Sequence, residues 1–96
     1  MNFELKGVHY NPSDKTKEFF MEKMAHLDRL KENIQNIEFI VTKTTHGYEL
    51  AANLHLKWGT HVRMEESGIE LYPMVDILMD KLHQKITKEK DKVSSH

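Results

Sequence analysis

Apolar and polar residues alternate from the start of the chain, with Phe3 and Leu5 set against Asn2, Glu4 and Lys6. A period of two is that of a strand with one buried face, and Gly7 ends it. Asn11-Pro12-Ser13-Asp14 then combines turn residues with a helix start. Ser13 is placed to cap it, and Asp14 suits the positive end of the helix dipole. From Asp14 to about Lys31 the period becomes helical. Phe20, Met24, Leu27 and Lys31 share one face, with Thr16, Lys23 and Leu30 on its edge. Asn33 offers the stop.

Ile37 to Thr44 is rich in β-branched residues, and Ile37, Phe39 and Val41 point one way. His46-Gly47 reads as a two-residue hairpin turn. From Tyr48 to Trp58, Leu50, Ala52, Leu54 and Leu56 alternate with polar or small residues. A further turn at Trp58-Gly59-Thr60 leads to Val62 and Met64 on the inner face. Antiparallel partners must set inner residues against inner residues. A loop at 58–60 pairs Leu56 with Val62, and a loop at 46–47 pairs Val41 with Ala52. In that register Lys57 faces His61, His55 faces Arg63, and the two histidines are not opposite each other.

Gly68 ends the third strand of this meander, and a second helix starts near Glu70, where Pro73 is tolerated in the first turn. Its apolar stripe is Leu71, Val75, Leu78, Met79, Leu82, Ile86 and Val93. The expected order is β-α-β-β-β-α. One apolar sheet face and two helices with one apolar stripe each give an α+β two-layer sandwich: a four-stranded sheet, both helices on one face, the other face wet. The first and second strands are parallel if adjacent. Residues 1–93 form the single domain expected of so short a chain, and Ser94-Ser95-His96 a frayed tail.

Composition narrows the chemistry. Among 96 residues there is no cysteine, which removes disulfides, thiolate metal sites and a thiol nucleophile. No apolar run is long enough to span a bilayer, and the start, Met1 to Lys6, lacks the basic and then apolar sections of a signal peptide, so the expected location is cytoplasmic. The formal net charge of −1, from 14 basic and 15 acidic residues, argues against a nucleic-acid partner until its layout is examined.

Arg63 stands against Glu65, Glu66, Glu70, Asp76 and Asp80 over residues 62–80, whereas Lys81, Lys85, Lys88, Lys90 and Lys92 outnumber Glu89 and Asp91 over 81–96. Matching to the helix dipole explains that order along the axis. It does not explain the azimuth. At about 100° per residue, Lys81, Lys85, Lys88 and Lys92 lie within about 60° of one another, beside the core stripe, with Asp76, Asp80 and Asp91 on the other flank. Such a stripe suits a phosphate backbone, although a solvated helix end is the plain alternative. On the first helix Lys15, His26 and Arg29 face outward, with Lys23 at the edge. The wet sheet face, with His55, Lys57, His61 and Arg63, is a weaker anion surface because Glu38, Glu49 and Glu65 adjoin it.

Other chemistry is absent. The seven histidines show no HxH or HExxH spacing, and there is no phosphate-binding glycine loop, GxSxG or recognisable carboxylate pair. No cofactor and no enzymatic activity are expected. Trp58 beside the turn caps the edge of the core more readily than it stacks on a base.

Several pieces carry a family resemblance: the strand ending in Gly7, the helix opened by Ser13-Asp14, the strand Ala52-Asn53-Leu54-His55-Leu56 with its Gly59 turn, Glu70-Leu71-Tyr72 running into Val75-Asp76 and Asp80-Lys81-Leu82, and Lys88-Glu89-Lys90-Asp91-Lys92. In this order and spacing the chain resembles the short ribosome hibernation-promoting factors and ribosome-associated inhibitors of the sigma-54 modulation family, from Asn2 to about Lys92. The resemblance implies a fold similar to a double-stranded RNA-binding domain. It also implies binding to rRNA in the channel between head and body of the small ribosomal subunit, blocking mRNA and tRNA in stationary phase or stress. It carries the RNA-binding role onto Lys23, Lys81, Lys88, Lys90 and Lys92. His26 stands where a relative has lysine, Lys85 adjoins a relative's arginine position, and Arg29 completes the outward group. By the same resemblance the chain stops short of the dimerising extension of long relatives. It is then a monomer that silences single ribosomes or works with a separate ribosome-dimerising factor. The alternative from the residues is a protein–protein interaction module using the exposed sheet face.

Overall fold

The computed structural model describes residues 1–94; the expected tail residues Ser95 and His96 lie outside them. The order is β1 (Asn2–Val8), α1 (Asp14–Ala25), a 3-10 segment (Asp28–Asn33), β2 (Ile34–Thr44), β3 (Gly47–Leu56), β4 (His61–Gly68) and α2 (Leu71–Ser94). The four strands form one sheet in the order β1-β2-β3-β4. β1 runs parallel to β2, and the other pairings are antiparallel. The α+β sandwich expected from the pattern is the fold observed.

Both hairpin registers differ from the expected ones by the same step. Val41 pairs with Leu50, Phe39 with Ala52 and Ile37 with Leu54. Leu54 pairs with Val62 and Ala52 with Met64. Each shift keeps inner residues opposite inner residues, so the parity test cannot detect it. Gly47 is the reason at the first hairpin. It belongs to β3 rather than to the turn, which is Thr45-His46. A Cβ on Gly47 would lie 2.3 Å from the Gly68 carbonyl oxygen, so glycine serves the close approach to β4. At the second hairpin the loop includes Lys57, closed by Gly59 N–H donating to the Leu56 carbonyl at 2.9 Å. His55 therefore faces His61 and Asn53 faces Arg63, not the pairs expected. β2 also begins earlier, at Ile34. An irregularity between Ile34 and Asn36 lets both Ile34 and Ile37 enter the core.

α1 opens as its sequence dictates, with the Ser13 hydroxyl accepting from Thr16 N–H at 3.1 Å. It ends earlier than the expected Lys31. Asp28 adopts a φ of 53°, left-handed backbone that aspartate tolerates better than most residues. The chain continues as 3-10 helix, which keeps Leu27 buried but leaves Lys31 only half-buried.

The core joins Phe20, Met24 and Leu27 to Ile34, Ile37, Phe39 and Val41, to the inner side of β3, and to Leu71, Met74, Val75, Leu78, Met79, Leu82 and Ile86 of α2. Met74 adds to the expected stripe; it lies against Gly68, where a Cβ would come within 3.1 Å of its Cγ. Val93 does not belong to it, being 43% exposed. Ile86 is the last buried residue of α2, and Thr87, Lys88, Lys90, Asp91, Lys92 and Val93 are exposed. Helix continues through Ser94. A 24-residue helix is about 36 Å long. It stretches a molecule of 47 × 22 × 19 Å, leaving its last two turns as an arm beyond the core.

Candidate nucleic-acid interface

Seven of the eight candidate residues divide into two groups on opposite flanks of α2, and Lys90 stands apart from the stripe. Lys23, near the end of α1, reaches across the helix interface to Asp76, with Nζ 2.8 Å from Oδ1. Lys81 reaches the other way, to Glu66 on the edge strand β4. Asp76 and Lys81 are five positions apart, about 140° around the axis. The segregation of acid and base seen in the sequence is therefore a segregation of neighbours: acid toward α1, base toward β4.

On the α1 side, Lys23 is half-buried and lies 5.2 Å from the centre of the Phe19 ring. The hydrogen bond to Asp76 holds its ammonium above the usual lysine range. His26 is exposed and closes α1, its backbone N–H donating to the Lys23 carbonyl at 3.0 Å. With Asp76, Asp80 and His83 these residues line a cleft of about 330 Å³. Arg29 is exposed on the 3-10 segment.

On the other side, Lys85 and Lys92 converge on Glu89, at 3.1 and 3.3 Å. Glu89 is held below the usual carboxylate range, first by the hydrogen bond from Lys85 and then by that from Lys92. The stripe thus carries its own counter-charges, Glu66 and Glu89. Glu66 lies on another element, where no helical spacing could reveal it. In each pair the lysine is open to solvent while the carboxylate is mostly covered: Lys81, Lys85 and Lys92 are 50%, 42% and 69% exposed, Glu66 and Glu89 16% and 12%. Lys88 and Lys90 have no ion-pair partner among the described residues. Lys90 lies about 180° around the helix from Lys81, so it extends the basic end of the arm rather than the stripe.

Among the described residues, no three His, Asp or Glu side chains converge to hold a metal ion. Trp58 packs against the core, as its place beside the turn suggested.

A family model described as sigma 54 modulation protein / S30EA ribosomal protein matches residues 3–94. The ribosome hibernation promoting factor of Escherichia coli is 30% identical over 98 residues, covering 100% of both chains. That of Azotobacter vinelandii is 26% identical over 92 residues, covering 96% of this chain and 85% of its own. Among solved structures, a ribosomal subunit interface protein from Coxiella burnetii superposes with a TM-score of 0.86 at 24% identity, covering 94% of this chain and 98% of that one. The N-terminal domain of Protein Y from Thermus thermophilus gives 0.80 at 23% identity, covering 92% and 98%. At these identities the two structures bear on the fold.

Proposed function

Because the chain belongs to the sigma 54 modulation protein / S30EA ribosomal protein family, we propose that it is a ribosome hibernation factor acting by occupation rather than catalysis. It binds small-subunit rRNA in the channel between head and body and so excludes mRNA and tRNA. Full-length similarity to proteins named ribosome hibernation promoting factor supports the role.

The observation that carries the RNA-binding reading is the α2 arm. Past Ile86 no described residue of the helix is buried, yet it presents Lys88 and Lys90 without ion-pair partners among the described residues, and Lys92, which with Lys85 pairs to Glu89. Lysines so placed displace counterions from a phosphate backbone without reading its sequence. Shape then supplies the selectivity, as is common for RNA. Lys81, Lys23, His26 and Arg29 flank the arm as lesser contacts. Lys81 and Lys23 must first exchange Glu66 and Asp76 for phosphate, which weakens binding to stray RNA more than binding to a matching channel.

Replacing Lys81, Lys85, Lys88 and Lys92 by Glu tests this. The variant is expected to keep its circular dichroism spectrum and to stop cosedimenting with small subunits. Cosedimentation equal to that of the unaltered protein would contradict the proposal.

A further inference from the structure

We propose that the outer sheet face carries a two-imidazole site for a divalent transition-metal ion, formed by His55 and His61. The two residues are direct partners across β3 and β4. Their rings lie 4.0 Å apart, centre to centre, tilted by 34°. Neither imidazole has a hydrogen-bond or ion-pair partner among the described residues. Four ring nitrogens are thus available on one spot of a rigid antiparallel ladder, whose backbone already meets the cost of bringing the ligands together.

Two nitrogens sharing one ion at a bond length of about 2.0–2.1 Å stand roughly 3 Å apart. Ring centres 4.0 Å apart are close to that spacing. Imidazole suits zinc, copper and nickel, whereas magnesium and calcium require oxygen ligands. The surroundings favour a cation over an anion. The pair borders a cleft of about 320 Å³ also lined by Asn2, Glu4, Asn36 and Glu38. Glu38 stays ionised: hydrogen bonds from Lys6 and then Asn53 hold its carboxyl below the usual range. Lys6 lies 2.7 Å from Glu38 and 3.6 Å from Glu4, so one ammonium answers two carboxylates, and the surplus negative charge repels phosphate and draws a metal ion. With only two imidazoles the site holds an exchangeable ion and leaves coordination positions open to water or to a ligand from another molecule.

The test is calorimetric titration of the full chain with zinc chloride, alongside H55Q, H61Q and a control, H83Q, with circular dichroism to confirm that each variant is folded. One zinc per chain is expected to bind saturably. H55Q and H61Q should each weaken it at least about tenfold, the lower bound for losing even an outer partner of a metal ligand, and H83Q should leave it unchanged. Substoichiometric nickel should broaden the ring-proton resonances of His55 and His61 before those of the other histidines. Equal zinc affinity in H55Q, H61Q and the unaltered protein, or nickel broadening that spares these two rings, would overturn the site.

Discussion

The ammonium of Lys23 lies 2.8 Å from the carboxylate of Asp76, so a proposed RNA contact on α1 is held by an acid on α2. If Lys23 meets phosphate, Asp76 competes with the RNA for it. Asp76→Asn should then tighten binding to small subunits and Lys23→Ala should weaken it. Melting temperatures should move little in either variant, because Asp76 is 53% exposed and such a pair contributes about 0–1 kcal/mol. Equilibrium binding at fixed salt checks this; equal affinities in both variants would remove Lys23 from the interface.

Thr16 is the buried polar residue at the junction of the two helices, 4% exposed. Its hydroxyl lies 3.0 Å from that of Ser13, 3.2 Å from that of Tyr72 and 3.4 Å from that of Tyr10. Tyr72 in turn stacks on Phe19 with ring centres 4.2 Å apart. Thr16→Val keeps the shape and leaves those hydroxyls short of a partner, at a cost of about 1–3 kcal/mol. Ser13→Ala removes the cap and costs about 1 kcal/mol. Urea denaturation measures both, and a neutral Thr16→Val would show that water satisfies the cluster.

Phe20 is fully buried, its ring centre 5.0 Å from that of Phe39. Phe20→Ala should cost about 3–5 kcal/mol. Val93→Ala, on the arm, should stay within about 0.5 kcal/mol. Comparable losses at the two positions would mean that the arm is packed in solution.

Glu38 links β1, β2 and β3 through Lys6 at 2.7 Å and Asn53 at 3.2 Å. Its carboxyl is held below the ordinary value of 4.5, so the native state favours the ionised form. The stability this contributes is complete above pH 4.5 and is lost as the pH falls through the lower folded value. Glu38→Gln should therefore be less stable than the parent at pH 7 and should lose less on acidification below pH 4.5. Parallel stability curves for the two proteins across that range would contradict the assignment.

Much of this was legible in the sequence because local chemistry decides it. The Ser13 cap, the alternation on β3 and the segregated faces of α2 each follow from neighbours close along the chain. What was not legible depends on elements distant in sequence. A two-residue slip preserves parity, so only the approach of Gly47 to Gly68 and the turn at Lys57 set the register, and with it the meeting of His55 and His61. α1 stops early because Asp28 turns left-handed, which a helical period cannot announce. The lysine stripe was visible, but Glu66, which answers Lys81, and Asp76, which answers Lys23 on α1, became neighbours of these lysines only on folding.

The central claim is that Lys88 and Lys90 of the α2 arm, without ion-pair partners among the described residues, meet phosphates. The slope of the logarithm of small-subunit affinity against the logarithm of salt concentration tests it most directly. Each lysine–phosphate contact contributes about 0.7–0.9 to that slope. Lys88→Ala with Lys90→Ala should make it shallower by roughly 1.5. A slope identical to that of the unaltered protein would show that the arm does not touch the RNA.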